Sequence, residues 1–138
     1  MKTLLAIAVY TAALPHATQA EGVTLTVEGL RNDRGNVLIA VFDQARTFDR
    51  LLFENAVGFA EVPARRGQVK YQFPALTSGP YAIFLFHDEN GNRDIDNVAN
   101  TLLEGIGASG ANTSKDEPSF AQASFLPGQV RVGVHYDQ

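Results

Sequence analysis

Cysteine is absent from the 138-residue chain. Its absence excludes disulfide bonds, thiol catalysis and the attachment of a lipid through a cysteine. The hydrophobic core alone must therefore hold the fold. A domain of this length buries roughly two thirds of the surface that its unfolded chain exposes, which is adequate for one stable domain.

Basic residues are scarce relative to acidic ones. The chain has 11 lysines and arginines against 15 aspartates and glutamates, and its formal net charge is −4. A negative protein repels the phosphates of nucleic acids and, more weakly, anionic membrane surfaces. We therefore expect no nucleic acid among its partners.

The apolar run at residues 4–14 is shorter than the roughly 20 apolar residues that cross a bilayer, so no membrane span is predicted. The run follows the basic Lys2 and leads to Thr18 and Ala20, small residues at the two positions that a signal peptidase reads. Residues 1–20 are therefore predicted to be a signal peptide. The protein is accordingly expected to be periplasmic or secreted.

Residues 21–138 are predicted to form a single domain, with a formal charge of −5 once Lys2 is removed. Residues 23–28 and 68–73 alternate apolar and polar side chains with period two, which is typical of half-buried strands. Residues 81–86 are apolar on both faces, which indicates a central strand. Further strands are predicted at residues 36–42, 57–62 and 130–136.

Turn signals separate these strands about every 8–12 residues, the pattern of a β-sandwich. We predict an all-β fold, a single antiparallel β-sandwich of about seven strands whose first two strands pair as a hairpin. Helical spacing of Phe48, Leu51, Leu52 and Phe53 predicts one short helical crossover within residues 43–55, with its aromatic residues in the core rather than on a ligand. The segment 97–118, rich in Gly, Ala, Ser and Asn, is predicted to be a long loop.

An acidic loop at residues 87–96 follows directly on the apolar strand. Side-chain oxygens recur there at every second position, and Gly91 permits the sharp turn that lets them converge. Calcium prefers several oxygen ligands at this kind of spacing. The candidate metal ligands are Asp88, Asn90, Asn92, Asp94 and Asp96, completed across space by Glu104 or by the pair Asp116 and Glu117.

The fit to the calcium loop of helix-loop-helix proteins is partial. Arg93 replaces the usual Gly, and Ala99 stands where the closing acid is expected. Any calcium site should therefore be weak, with a dissociation constant of about 10⁻⁴–10⁻³ M. In the alternative interpretation, the Asp and Asn side chains accept hydrogen bonds from their own backbone in Asx-turns.

Motifs for enzymatic catalysis are missing. The sequence has no phosphate-binding loop and no dinucleotide fingerprint, and Ser109 lacks the flanking pattern of a hydrolase nucleophile. His87 and Asp88 are neighbours in a strand, so their side chains should point to opposite faces and not cooperate as base and acid. We expect His87 to be buried and hydrogen-bonded to the backbone. A zinc or copper site from His87, His135 and a carboxylate is the less favoured alternative.

Several short motifs together resemble one protein family. They are residues 25–29 with Gly35, Phe42-Asp43, Leu76 with residues 79–82, residues 87–92 with Asp96, Glu104-Gly105 with Gly107, and residues 118–120 with Ala123. They are similar to the domain-of-unknown-function family 2141, small exported proteins found mainly in bacteria. The resemblance implies a transthyretin-like or immunoglobulin-like sandwich without an established activity. That family often has Gly at the position of Arg93 and Pro near Leu103.

Three hypotheses about function follow. The first is a non-enzymatic binding or structural module, in which the acidic loop and the Gly-rich segment form one functional edge that meets a protein or glycan of the cell envelope. The second is the same sandwich stabilised by Ca²⁺ in the acidic loop. The third, and least favoured, is a metal-dependent enzyme built at that edge. The oligomeric state is left open.

Overall fold

The structure is a computed structural model that describes residues 8–9, 11–13 and 21–137. Most of the predicted signal peptide, residues 1–20, therefore lies outside the described residues, as does Gln138. No helix in the described part of the chain is long and apolar enough to cross a membrane.

Nine strands and three short helical segments make up residues 21–137 of the domain. The strands are β1 (Val23–Leu30), β2 (Asn36–Phe42), β3 (Gly58–Pro63), β4 (Gly67–Phe73), β5 (Ala82–Asp88), β6 (Asn97–Val98), β7 (Thr101–Leu102), β8 (Gly105–Ala108) and β9 (Gly128–Gly133). The helices are α1 (Ala45–Asp49), a 3₁₀ turn (Phe53–Asn55) and α2 (Phe120–Ala123). The predicted helical crossover thus takes the form of α1 and the 3₁₀ turn.

Two sheets form the predicted all-β sandwich. One has the strand order β4-β1-β9 and the other β3-β2-β5-β8, while β6 and β7 form a separate small hairpin. The pairs within the two sheets are antiparallel with one exception, because β9 runs parallel to β1. Since the chain reaches β9 through α2 rather than through a hairpin turn, its last strand can enter beside β1 in the same direction.

The predicted hairpin between the first two strands is wrong. β1 pairs with β4 and β9, whereas β2 pairs with β3 and β5 in the other sheet. Leu25 of β1 and Ile39 of β2 instead belong to the same buried core between the sheets. Alternating apolar residues determine which face of a strand is buried, but they do not determine its hydrogen-bonded neighbour.

The central strand β5 is apolar on both faces, as predicted, and all its residues are buried. On the inner face, Ile83 and Leu85 join the core between the two sheets. On the outer face, Phe84 and Phe86 join a second apolar cluster that includes Phe48 and Ala123 from the two helices. The four-stranded sheet therefore carries one core on each of its faces.

The predicted loop 97–118 contains three short strands, β6, β7 and β8. β8 forms the edge of the four-stranded sheet, with Gly107 opposite Leu85. A Cβ at Gly105 would lie 2.4 Å from a side-chain atom of Val134, and one at Gly107 would lie 2.2 Å from the Gly133 carbonyl oxygen. Glycine is required because this edge lies so close to the chain at the end of β9, and its low strand propensity concealed the strand in the sequence.

Candidate functional site

His87 is fully buried at the end of β5. Its Nε2 lies 2.6 Å from the Arg34 carbonyl oxygen and its Nδ1 lies 2.8 Å from the Tyr136 hydroxyl. A carbonyl oxygen only accepts, so Nε2–H donates to Arg34, and Nδ1 shares the second hydrogen bond with the Tyr136 hydroxyl. The expected buried histidine with a backbone hydrogen bond is confirmed, and both of its ring nitrogens have partners.

Asp88 closes the acidic loop from inside. Its side chain is fully buried on the opposite face from His87. Oδ1 accepts the backbone N–H groups of Gly91 and Asn92 at 3.0 and 3.2 Å, and Oδ2 accepts that of Arg93 at 2.9 Å. A buried carboxylate is stable here because three oriented donors compensate its charge.

Two residues of the loop adopt positive φ angles. Gly91 has φ +75°, as the predicted sharp turn requires, and Arg93 has φ +62°. A left-handed conformation costs a non-glycine residue free energy, so Arg93 is strained where a glycine would not be. The Arg93 guanidinium lies 3.1 Å from Glu61 of β3, so its charge is paired there rather than within the loop.

Asp96 holds the middle of the loop through the two asparagines. Its carboxylate accepts the side-chain amide of Asn90 at 2.6 Å and that of Asn92 at 3.0 Å. The Asn92 Oδ1 accepts the Asp94 N–H at 2.9 Å, and the Asp94 side chain itself is exposed. The predicted Asx-turns are therefore present.

Glu104 returns to the loop from the start of β8, where its side chain is buried. Oε1 accepts the Glu89 N–H at 2.9 Å, and Oε2 lies 3.5 Å from the Asp96 nitrogen. Burial raises the pKa of Glu104 above its ordinary range, against the opposing effect of these backbone donors. The closing acid is thus Glu104 rather than Asp116, which accepts the Asn112 N–H at 2.7 Å in its own turn.

An ion pair that the sequence did not reveal holds the outside of the loop. Arg31 binds Glu89 with two parallel hydrogen bonds of 2.6 and 3.0 Å, and its guanidinium lies 4.5 Å from the centre of the Tyr136 ring. The hydrogen bond from Arg31 holds the pKa of Glu89 below its ordinary value. The two partners are 58 residues apart, so no local pattern links them.

The carboxylates of this loop face N–H groups. Within residues 8–9, 11–13 and 21–137, no three His, Asp or Glu side chains are grouped in a way that would hold a metal ion. A calcium ion at Asp88, Asp96 and Glu104 would have to take oxygens that now accept hydrogen bonds. His87 and His135 do not form such a group either, and the buried His135 Nε2 has no hydrogen-bond partner in the described part of the chain.

An apolar groove runs along the outer face of the four-stranded sheet, beside the acidic loop. It consists of two adjoining cavities of about 360 and 640 Å³, and Phe84 and Ile95 line both. The smaller cavity also contacts Phe53 and Phe59, whose side chains are 43% and 58% exposed. Phe48 is buried in the core as predicted, but the same prediction is wrong for Phe53, which lines the groove.

The larger cavity has an apolar floor and an acidic rim. Ile106, Ala108 and Ala111 line it from the Gly-rich segment. Three carboxylates reach it, from Asp49, Asp116 and Glu117, and the described residues that line it include no Lys, Arg or His. The backbone N–H of Asn112 holds the pKa of Asp116 below its ordinary value, so the Asp116 carboxylate is ionised at neutral pH.

These features define a small single-domain β-sandwich protein with a hydrogen-bonded acidic loop and a half-covered apolar sheet face. The sequence model of the family described as "Uncharacterized protein conserved in bacteria (DUF2141)" matches residues 25–133. The chain belongs to this family, and the resemblance drawn from its motifs is confirmed. No curated protein and no solved structure matches the chain.

Proposed function

We propose that the protein is an exported, non-enzymatic binding module whose ligand site is the outer groove and whose acidic loop is the rigid rim of that groove. The observation that carries this proposal is the half-covered outer face of the four-stranded sheet, where Phe53 and Phe59 stay exposed beside two adjoining cavities. Ligand sites in proteins are mostly apolar clefts of roughly 300–1,000 Å³ with a few polar groups at the edge.

The groove unites the two segments that the sequence analysis placed at one functional edge. Arg93 and Ile95 come from the acidic loop, and Ile106 and Ala111 come from the Gly-rich segment. The hydrogen bonds of Asp88 and Glu104 fix the loop, so its wall of the groove is preorganised. A preorganised wall lowers the entropy lost on binding.

The hydrogen bonds of His87 favour a non-enzymatic role. Among the described residues, it is the only histidine with a fully buried side chain. Both ring nitrogens of His87 are bonded within the protein, to Arg34 and Tyr136. A general base needs a nitrogen that can reach its substrate. Export is favoured by the basic residue, apolar run and small residues at the start of the sequence, and it would bring the groove to a ligand of the cell envelope.

A fluorescence titration with N-phenyl-1-naphthylamine tests the groove, because this uncharged probe emits strongly only in an apolar site. Ala111→Trp would fill the larger cavity, and Ala121→Trp adds the same side chain on the exposed side of α2, outside the cavity. We expect the wild type and Ala121→Trp to bind the probe, and Ala111→Trp to bind it at least about tenfold more weakly. Equal binding by both variants, or none by the wild type, would refute the groove.

Calcium stabilisation is a second candidate, favoured by the return of Glu104 to the loop, and it requires the loop carboxylates to exchange their N–H donors for the ion. A ligand that binds only the folded state raises stability by RT ln(1 + [L]/Kd). With a Kd of about 10⁻⁴ M, calcium at about 10 mM would add about 2.7 kcal/mol. Thermal melts in calcium and in chelator measure this shift, and identical melting temperatures would remove the candidate.

A further inference from the structure

We infer that the larger cavity of the groove selects a cationic amphiphile, an apolar chain that carries one positively charged head. This inference rests on the proposed binding function and adds the class of ligand. The floor of the cavity suits the chain, since Phe84, Ile95 and Ile106 lie along it. Its volume of about 640 Å³ is in the range of small-molecule sites.

The rim suits the cationic head because two of its three carboxylates are held in place and keep free oxygens. Asp49 Oδ1 accepts the Phe120 N–H at 2.9 Å, which leaves Oδ2 for a ligand. Asp116 uses Oδ2 for the N–H groups of Asn112 and Thr113, which leaves Oδ1. Glu117 is exposed next to Asp116. The rim thus presents three carboxylates, and the positions of two of them are set before binding.

The basic residues next to these carboxylates in the sequence do not line the cavity. Lys115 and Arg50 are sequence neighbours of Asp116 and Asp49, but both are exposed and neither lines the cavity. Arg93 lines the smaller cavity, and its guanidinium is paired with Glu61. The carboxylates would therefore repel an anionic head, whereas an uncharged head could hydrogen-bond to the neutral polar side chains of the cavity but would gain no attraction between charges.

The test is isothermal titration calorimetry with three ligands that share one chain: octyltrimethylammonium, octyl glucoside and octyl sulfate, each below its critical micelle concentration. We expect the cation to bind at least about tenfold more tightly than the sulfate, with the glucoside between them. The preference should shrink as salt is raised, because the rim is exposed.

Two double variants test whether the rim carboxylates cause the preference for the cationic ligand. Asp49→Asn with Glu117→Gln removes two rim charges and keeps the oxygen that accepts the Phe120 N–H. Glu21→Gln with Asp43→Asn removes two exposed charges that do not line the cavity. We expect the rim variant to bind the three ligands within about twofold of one another, and the control to behave as wild type.

The outcomes separate this inference from the proposed function. Equal binding of all three ligands by the wild type, or a cation preference that survives in the rim variant, would overturn the cationic selectivity and leave the groove as a binding site. Failure of all three ligands to bind would overturn both. Circular dichroism at the highest ligand concentration confirms that the protein stays folded throughout.

Discussion

The two faces of the four-stranded sheet have the same kind of side chains and different coverings. On the inner face, Ile83 and Leu85 are fully buried by the other sheet. On the outer face, Phe84 meets α1 and α2, helices of five and four residues, and Phe59 remains 58% exposed. A facing sheet seals an apolar surface, whereas two such short helices leave part of it available for a ligand.

The largest expected effect compares the sealed and the open face directly. Leu85→Ala removes a side chain without exposed surface and should lower the free energy of unfolding by about 2–5 kcal/mol. Phe59→Ala on the open face should lower it by less than about 1 kcal/mol. Urea denaturation measures both values. Equal losses would show that the outer face is as closely packed as the inner one.

The acidic loop contains the same contrast within a few residues. Asp88 is buried and accepts three backbone N–H groups, so Asp88→Ala should lower the free energy of unfolding by about 2–4 kcal/mol. Asp94 is exposed, and Asp94→Ala should change it by less than about 0.5 kcal/mol. Chemical denaturation of the two variants decides the matter, and a large loss in Asp94→Ala would mean that its carboxylate supports the loop.

The smallest expected effect is a pH dependence with opposite signs for two glutamates. Arg31 lowers the pKa of Glu89, so the stability that this residue adds is present at neutral pH and is lost as the pH falls below 4.5, the ordinary pKa of a glutamate. We expect Glu89→Gln to lower the free energy of unfolding by about 1 kcal/mol at neutral pH and by less in acid. This value allows for solvent screening of the partly exposed pair.

The pKa of Glu104 shifts in the opposite direction from that of Glu89, because Glu104 is buried. Burial raises the pKa of Glu104, so the stability that this group adds is present in acid and is lost as the pH rises from 4.5 through the folded-state pKa. The stability of Glu104→Gln relative to that of the wild type should therefore increase as the pH rises through this range. Thermal melts across the acid range compare the two variants. Parallel curves for Glu89→Gln and Glu104→Gln would contradict the assigned environments.

Local patterns were sufficient for the elements whose causes are local. The two-faced apolar run predicted β5 as a central strand, and the Asp and Asn spacing predicted the turn that Gly91 and Asp88 form. The position of Glu104 beside Asp96 was expected only as one of two alternatives. Short-range chemistry of this kind can be read from neighbouring residues because the interacting groups are few positions apart.

Features that depend on distant partners could not be predicted in this way. The Arg31–Glu89 pair joins residues 58 positions apart, and the pairing of β1 with β4 and β9 depends on the packing of two complete sheets. β8 was not predicted because glycine has a low strand propensity. Its glycines are required by the close contact with the end of β9 and the residues that follow. The groove arises because α1 and α2 are too short to cover the sheet, which no single segment encodes.

Amide chemical-shift mapping by NMR during a titration with octyl glucoside tests the open outer face most directly, because this ligand has no charge and needs only the apolar surface. The account predicts that the largest shifts fall on residues around the groove, near Phe84, Ile95 and Ala108. Largest shifts on the sheet β4-β1-β9, or a spectrum that does not change at all, would contradict it.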